Sequence, residues 1–209
     1  MAASSVNNFL LLWWKARRMN RACAVVAAVA VIAIIFSGSS VVVPIVGGLG
    51  SVPFRSFSLI VVVAILARAI FARTSFDPQD SGLLRRITIA AATLAVVLGS
   101  AMAAVVEIIM RLPYAPAWAA IFALFFFVTA LSLRWIPADK VWVVGPVSYF
   151  VVLFVVLSLV ELSGDAHTFD NYNIFLATSW NWTVIAVITV SVIGTPLAVA
   201  WRYTARRNR

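Results

Sequence analysis

The amino-acid sequence predicts an all-α polytopic membrane protein with six transmembrane helices and an N-terminal interfacial amphipathic helix. Of its 209 residues, 64% are hydrophobic and only 11% are charged, and the mean hydropathy is +1.05. These values lie far outside the range of a soluble domain. The apolar residues form long runs, and the basic residues cluster in alternate connections between the runs, which indicates several membrane crossings with a defined orientation.

Residues 1–21 are predicted to form an amphipathic helix on the cytoplasmic surface. Phe9, Leu10 and Trp13 recur at helical spacing and are followed by a cluster of basic residues that ends at Arg21. A helix of this kind lies in the plane of the interface, with its apolar face in lipid and its bases at anionic headgroups. The chain then divides into a transmembrane domain at 22–201 and a basic cytoplasmic tail at 202–209.

Six apolar segments make up the predicted transmembrane domain. A helix needs about 20 mostly apolar residues to cross roughly 30 Å of hydrocarbon. The predicted spans are 23–36, 54–71, 87–111, 118–133, 141–160 and 182–201. Prolines and glycines within 44–55 break any helix there, and polar and aromatic residues alternate through 162–181. Each of these two stretches is either a plain outer loop or a re-entrant segment.

The distribution of Lys and Arg predicts that both termini are cytoplasmic. With the N-terminus inside, every basic residue except Arg55 and Arg111 falls in an inner segment. Cytoplasmic loops of membrane proteins carry such an excess of Lys and Arg. Because the positive charge is spread over all the inner segments, it indicates an anionic lipid surface as the partner and argues against nucleic acid.

The third span carries small residues at Ala91, Ala95, Gly99 and Ala103, each four positions after the last. Residues with this spacing lie on nearly the same face of a helix, and small side chains let a second helix approach closely. We therefore predict that this ridge is a helix-packing surface, with a crossing angle near −40° favoured.

The ridge continues to Glu107 and Arg111, which are predicted to form an interfacial ion pair. Glu107 lies 21 positions after Arg86, or roughly 31 Å along a helix. That distance places the carboxylate at the far surface of the hydrocarbon. An i, i+4 pair at this depth is structural, whereas a charge at the bilayer centre would indicate a proton relay.

The sequence lacks the residues for several kinds of chemistry. One histidine and one cysteine cannot form a His/Cys metal site within the chain, and the chain has no phosphate-binding Gly-rich loop followed by Lys and Ser or Thr. We therefore expect no catalytic residues, no metal and no cofactor, and we predict that the protein is not an enzyme. Active transport would need energy from a partner.

The layout of the chain resembles the six-helix membrane subunit, or permease, of bacterial ABC exporters. The resemblance covers the N-terminal amphipathic helix, six spans, a short inner loop with Asp77, Pro78 and Asp80, and an aromatic outer segment at 169–180. It is architectural and includes no diagnostic motif. It implies that residues around Asp77 form a coupling helix for a separate ATPase subunit. It further implies that membrane subunits associate as homo- or hetero-oligomers in the cytoplasmic membrane.

Several functional expectations follow from this layout. The permease would move a hydrophobic or amphipathic substrate, and the Ala/Val/Arg-rich composition resembles that of actinobacterial proteins. Candidate substrate contacts in the outer connection are His167, Asp170, Tyr172 and Trp180. Two alternatives are a substrate-capture subunit of a vitamin-type importer and an accessory or immunity protein that acts through the 91–103 ridge. A membrane-embedded enzyme is the least favoured class.

Overall fold

The long apolar segments fold as helices, the conformation in which a single segment satisfies its own backbone hydrogen bonds within a membrane. The computed structural model describes residues 2–45, 48–72, 82–163 and 178–207. Its elements in chain order are α1 (Ala2–Ala16), α2 (Met19–Ile35), β1 (Ser40–Ile45), β2 (Gly48–Pro53), α3 (Phe54–Phe71), α4 (Gly82–Ile109), α5 (Ala115–Ser132), a 3₁₀ turn (Val141–Val143), α6 (Val144–Ser163) and α7 (Trp182–Arg207).

Four of the described helices are long and apolar enough to cross a membrane. They are α3, α4, α5 and the Trp182–Tyr203 part of α7. A fifth span results if the bent pair Asn7–Ala16 and Met19–Ile35 crosses as one unit, and Val141–Val156 forms a shorter apolar helix. The described residues therefore have the helical, multi-pass architecture of a membrane protein, as the sequence predicts at this level.

Helix α5 forms the centre of the structure and packs against α3, α4, α6 and α7. It is apolar on all sides, a composition typical of a helix surrounded by other helices. Ile121, Phe122, Phe125 and Phe126 are all almost completely inaccessible to solvent. The phenylalanine-rich segment thus supplies the core of the bundle.

A β-hairpin lies between α2 and α3. Strands β1 and β2 pair antiparallel from Ser40 opposite Pro53 to Ile45 opposite Gly48, and the Phe54 N–H donates to the Ser39 carbonyl at 2.9 Å. The β-branched run at 41–43 favours a strand. The stretch 44–55, predicted to be non-helical, therefore forms part of a hairpin as far as Pro53. The hairpin is a departure from the predicted all-α fold.

The N-terminal segment is broken into two helices that meet at 57°. The break follows Ala16, where α1 ends, and Arg18 adopts a left-handed conformation with φ of 51°. Residues with a Cβ rarely adopt this conformation, so Arg18 stops one helix before the next begins at Met19. The predicted helix at 1–21 is thus shorter than expected, and its last basic residue belongs to α2.

Candidate functional site

An arginine and a glutamate meet where α3 begins and α4 ends. Arg55 lies in the first turn of α3, and its Nε is 3.4 Å from Glu107 Oε1. Their side chains are only 12% and 5% exposed. The Arg55 guanidinium also lies 5.8 Å from the ring centre of Tyr114 and 5.5 Å from that of Trp118. We refer to Arg55, Glu107, Tyr114 and Trp118 as the Arg55–Glu107 cluster.

The Arg55–Glu107 cluster retains unused hydrogen-bonding capacity. Glu107 Oε2 and Trp118 Nε1 are buried, and neither has a hydrogen-bond partner among the described residues. A buried polar atom left in this state costs about 1–3 kcal/mol. The cluster joins three helices through charge and ring contacts. Among the described residues, its buried atoms without a hydrogen bond are one acceptor, Glu107 Oε2, and two donors, Arg55 Nε and Trp118 Nε1.

The structure corrects the partner predicted for Glu107. Arg111 is exposed and adopts a left-handed conformation with φ of 55°. The Leu112 N–H donates to the Glu107 carbonyl at 2.9 Å, and the Arg111 N–H donates to the Ile108 carbonyl at 3.0 Å. This pattern is a Schellman C-cap. Because α4 ends at Ile109, the helical spacing on which an i, i+4 pair depends is lost before Arg111.

A second arginine binds the opposite end of α3. Arg17 lies between α1 and α2 and is 8% exposed. Its Nη1 donates to the carbonyls of Ile70 at 2.5 Å and Ala72 at 2.7 Å. Carbonyls at the end of a helix lack intrahelical partners and carry partial negative charge, so a guanidinium satisfies and stabilises them. Arg17 therefore fastens the α1–α2 bend to the C-terminal end of α3.

Three arginines at one end of the bundle lie over tryptophan rings. The guanidinium-to-ring distances are 5.1 Å for Arg17 and Trp13, 5.7 Å for Arg68 and Trp142, and 4.5 Å for Arg134 and Trp201. Arg17 and Arg68 mark the C-terminal end of α3, and Arg134 follows α5. Because Arg55 joins the starts of α3 and α5, these two helices run in the same direction and their C-terminal ends share one side. We refer to this side as the arginine–tryptophan end.

The predicted ridge on α4 lies against the central helix. A Cβ placed on Gly99 would collide with the ring of Phe122 in α5, while Ala91, Ala95 and Ala103 are half-buried against the core. The residues of α4 that are buried lie on the adjacent stripe, one position after the ridge residues in the chain. Its members are Leu84, Thr88, Ala92, Val96, Ser100 and Ala104.

The structure also contains a small-residue contact that sequence reasoning missed. A Cβ placed on Gly194 of α7 would collide with the ring of Phe127. Phe122 and Phe127 therefore insert against glycines on two different neighbouring helices. A single glycine in an apolar run carries little signal, because only the position of the neighbouring ring distinguishes it from a glycine facing lipid.

Several predicted site residues are not part of the structure described. Asp77, Pro78 and Asp80, and likewise His167, Asp170 and Tyr172, lie outside the described residues. Trp180 is described and is 53% exposed. Within the described ranges, no group of three or more His, Cys, Asp or Glu residues is placed to hold a metal ion.

The fold and these contacts define a class: a helical multi-pass membrane protein whose helix ends are joined by arginines. Comparisons with protein-family models, with curated proteins and with solved structures find no match to this chain.

Proposed function

We propose that this chain is the membrane-spanning permease subunit of an ABC-type transporter in the bacterial cytoplasmic membrane. It would carry a hydrophobic or amphipathic substrate and take its energy from a separate ATPase subunit. In this proposal α2 to α7 are six spans, both termini are cytoplasmic, and α1 lies at the cytoplasmic interface. The chain itself would perform no catalysis.

The arginine–tryptophan end supports this orientation. Cytoplasmic ends of membrane helices are rich in Arg and Lys, and tryptophan favours the headgroup level. Arg68 and Arg134 lie over Trp142 and Trp201 at that end, where their apolar stems stay in the membrane and their guanidinium groups reach the interface. The basic residues of the inner connections would then face anionic lipid and a cytoplasmic partner.

The Arg17 contact is the observation that carries the proposed function. It joins α1 to the Ile70 and Ala72 carbonyls, directly before the segment 73–81 that contains Asp77, Pro78 and Asp80. If an ATPase binds that segment, displacement of the end of α3 acts on α1 as well. At its other end α3 is joined through Arg55 to Glu107. A displacement at the cytoplasmic end can therefore reach α4 and α5 across the bundle.

Purification from native membranes in mild detergent tests the proposal. A co-purifying chain with the Gly-x-x-x-x-Gly-Lys-Ser/Thr motif, together with ATP hydrolysis by the complex, is the expected result. The variant Asp77→Ala/Asp80→Ala should lose the ATPase, whereas Asp139→Ala in the other inner turn should retain it. A chain recovered alone and without ATP hydrolysis would overturn the proposal and favour the accessory or immunity function.

A further inference from the structure

We propose that the groove between α3 and α6 binds one acyl chain of an anionic phospholipid, with the lipid phosphate at Arg68. The groove has a volume of about 290 Å³, near the lower bound for ligand sites in proteins. Its walls include Phe57, Val61, Ala64 and Arg68 of α3, with Trp142 and Phe150 on the α6 side. This inference does not depend on the ABC-type function.

Each wall of the groove is formed by residues on one face of a helix. On α3 the lining residues run from Phe57 to Arg68 at intervals of three and four positions, and on the other side Trp142, Pro146 and Phe150 are spaced by four. Val61 and Phe150 are exposed, so the groove opens on the outside of the bundle, where a membrane would supply lipid. All the lining residues except Arg68 are apolar or aromatic, which suits a hydrocarbon chain.

The length and the charge of the groove identify the occupant. The eleven positions from Phe57 to Arg68 cover about 17 Å of helix, and one leaflet accounts for about half of the roughly 30 Å hydrocarbon thickness. The groove is therefore about as long as the acyl chain of a lipid in one leaflet. Phe57 and Phe150, with ring centres 5.6 Å apart, lie at the end of the groove away from Arg68. The exposed Arg68 and the half-buried Trp142 lie at the headgroup end.

A guanidinium beside an indole ring at headgroup depth is suited to a lipid phosphate. Arg68 lies at the arginine–tryptophan end, and its guanidinium is 5.7 Å from the Trp142 ring centre. Basic pockets between helices at the membrane surface bind anionic headgroups. A helix from a second copy would bury the apolar wall but would leave the Arg68 charge without a complement. The charge therefore favours a phospholipid.

Photo-crosslinking in vesicles tests this inference. The full-length protein is reconstituted in phosphatidylcholine with a phosphatidylglycerol probe that carries a diazirine on its acyl chain, and labelled peptides are identified by mass spectrometry. Peptides of α3 and α6 should be labelled in the natural protein. Val61→Trp, which fills the groove, should abolish this labelling, whereas Leu94→Trp on the exposed face of α4 should preserve it.

The headgroup contact is tested separately with Arg68→Gln. The preference for the phosphatidylglycerol probe over a phosphatidylcholine probe should fall about fivefold, the loss expected for one basic residue at the membrane surface. Arg68→Lys should keep most of the preference. Equal labelling in the Val61→Trp and Leu94→Trp variants would overturn the inference. Loss of an oligomer in Val61→Trp with unchanged labelling would instead assign the groove to a second copy.

Discussion

Arg55 and Glu107 form a buried ion pair 3.4 Å apart, although 51 residues separate them in the chain. The pair joins the first turn of α3 to the last turns of α4, and the Tyr114 and Trp118 rings cover the guanidinium. Removal of a single partner from such a pair leaves an uncompensated buried charge. We therefore expect the loss of either partner alone to lower the stability of the protein.

We expect Arg55→Met to destabilise the protein strongly. Breaking a buried ion pair by removing one partner costs about 3–5 kcal/mol, whereas replacing both partners with apolar residues is close to neutral. The double variant Arg55→Met/Glu107→Met should therefore recover most of the stability in a detergent unfolding assay. If the double variant is as unstable as Arg55→Met, the pair is not the source of the loss. Arg86→Ala, at an exposed position of α4, is the control.

Arg111→Gly should stabilise the protein. Arg111 occupies the left-handed position of the C-cap, where an L-residue costs about 1–2 kcal/mol and glycine avoids this cost. If Arg111 were instead the ion-pair partner of Glu107, Arg111→Gly would destabilise the protein, because the substitution would remove the cation. The change in unfolding midpoint, measured beside Arg111→Ala, distinguishes the cap from the pair.

Gly99→Ala should destabilise the contact between α4 and α5. Alanine at an open helical site would be favourable, but here the added Cβ meets the Phe122 ring. Overpacking of this kind costs about 1–3 kcal/mol. Gly82→Ala is the matched control, because a Cβ at the start of the same helix meets nothing within 4 Å.

A second substitution provides a further check on this contact. Phe122→Leu shortens the side chain that faces Gly99, so Gly99→Ala should be less costly in that background, as a double-mutant cycle would measure. Additive effects of the two changes would show that the Gly99 and Phe122 contact does not cause the loss.

Arg17→Ala should loosen the bend between α1 and α2. Hydrogen bonds that involve a charged group contribute about 1.5–3 kcal/mol, and the substitution removes those to Ile70 and Ala72. We expect faster proteolysis between α1 and α2 together with a lower unfolding midpoint. Lys15→Ala, at an exposed basic residue in the last turn of α1, should leave both measurements unchanged. Equal proteolysis of the two variants would contradict the anchoring role of Arg17.

The sequence alone determined the features of this protein that depend on residues close together in the chain. Apolar length and turn-forming residues predict α3 at the bounds the structure has, 54–71, because a membrane helix satisfies its hydrogen bonds within itself. The four-residue spacing likewise identified Gly99 as part of a close-packing face. The sequence could not identify Phe122 as the ring it meets, since that depends on which helices are adjacent.

Only the tertiary structure decided which charges and helix ends meet. Glu107 pairs with Arg55 and Arg17 reaches Ile70, and in each case the partner lies on another helix. The i, i+4 spacing predicted Arg111 as the ion-pair partner of Glu107, but this prediction holds only if the helix continues to Arg111. The left-handed conformation of Arg111 ends that helix, and the buried position of Glu107 makes the nearest cation across the helix interface its partner.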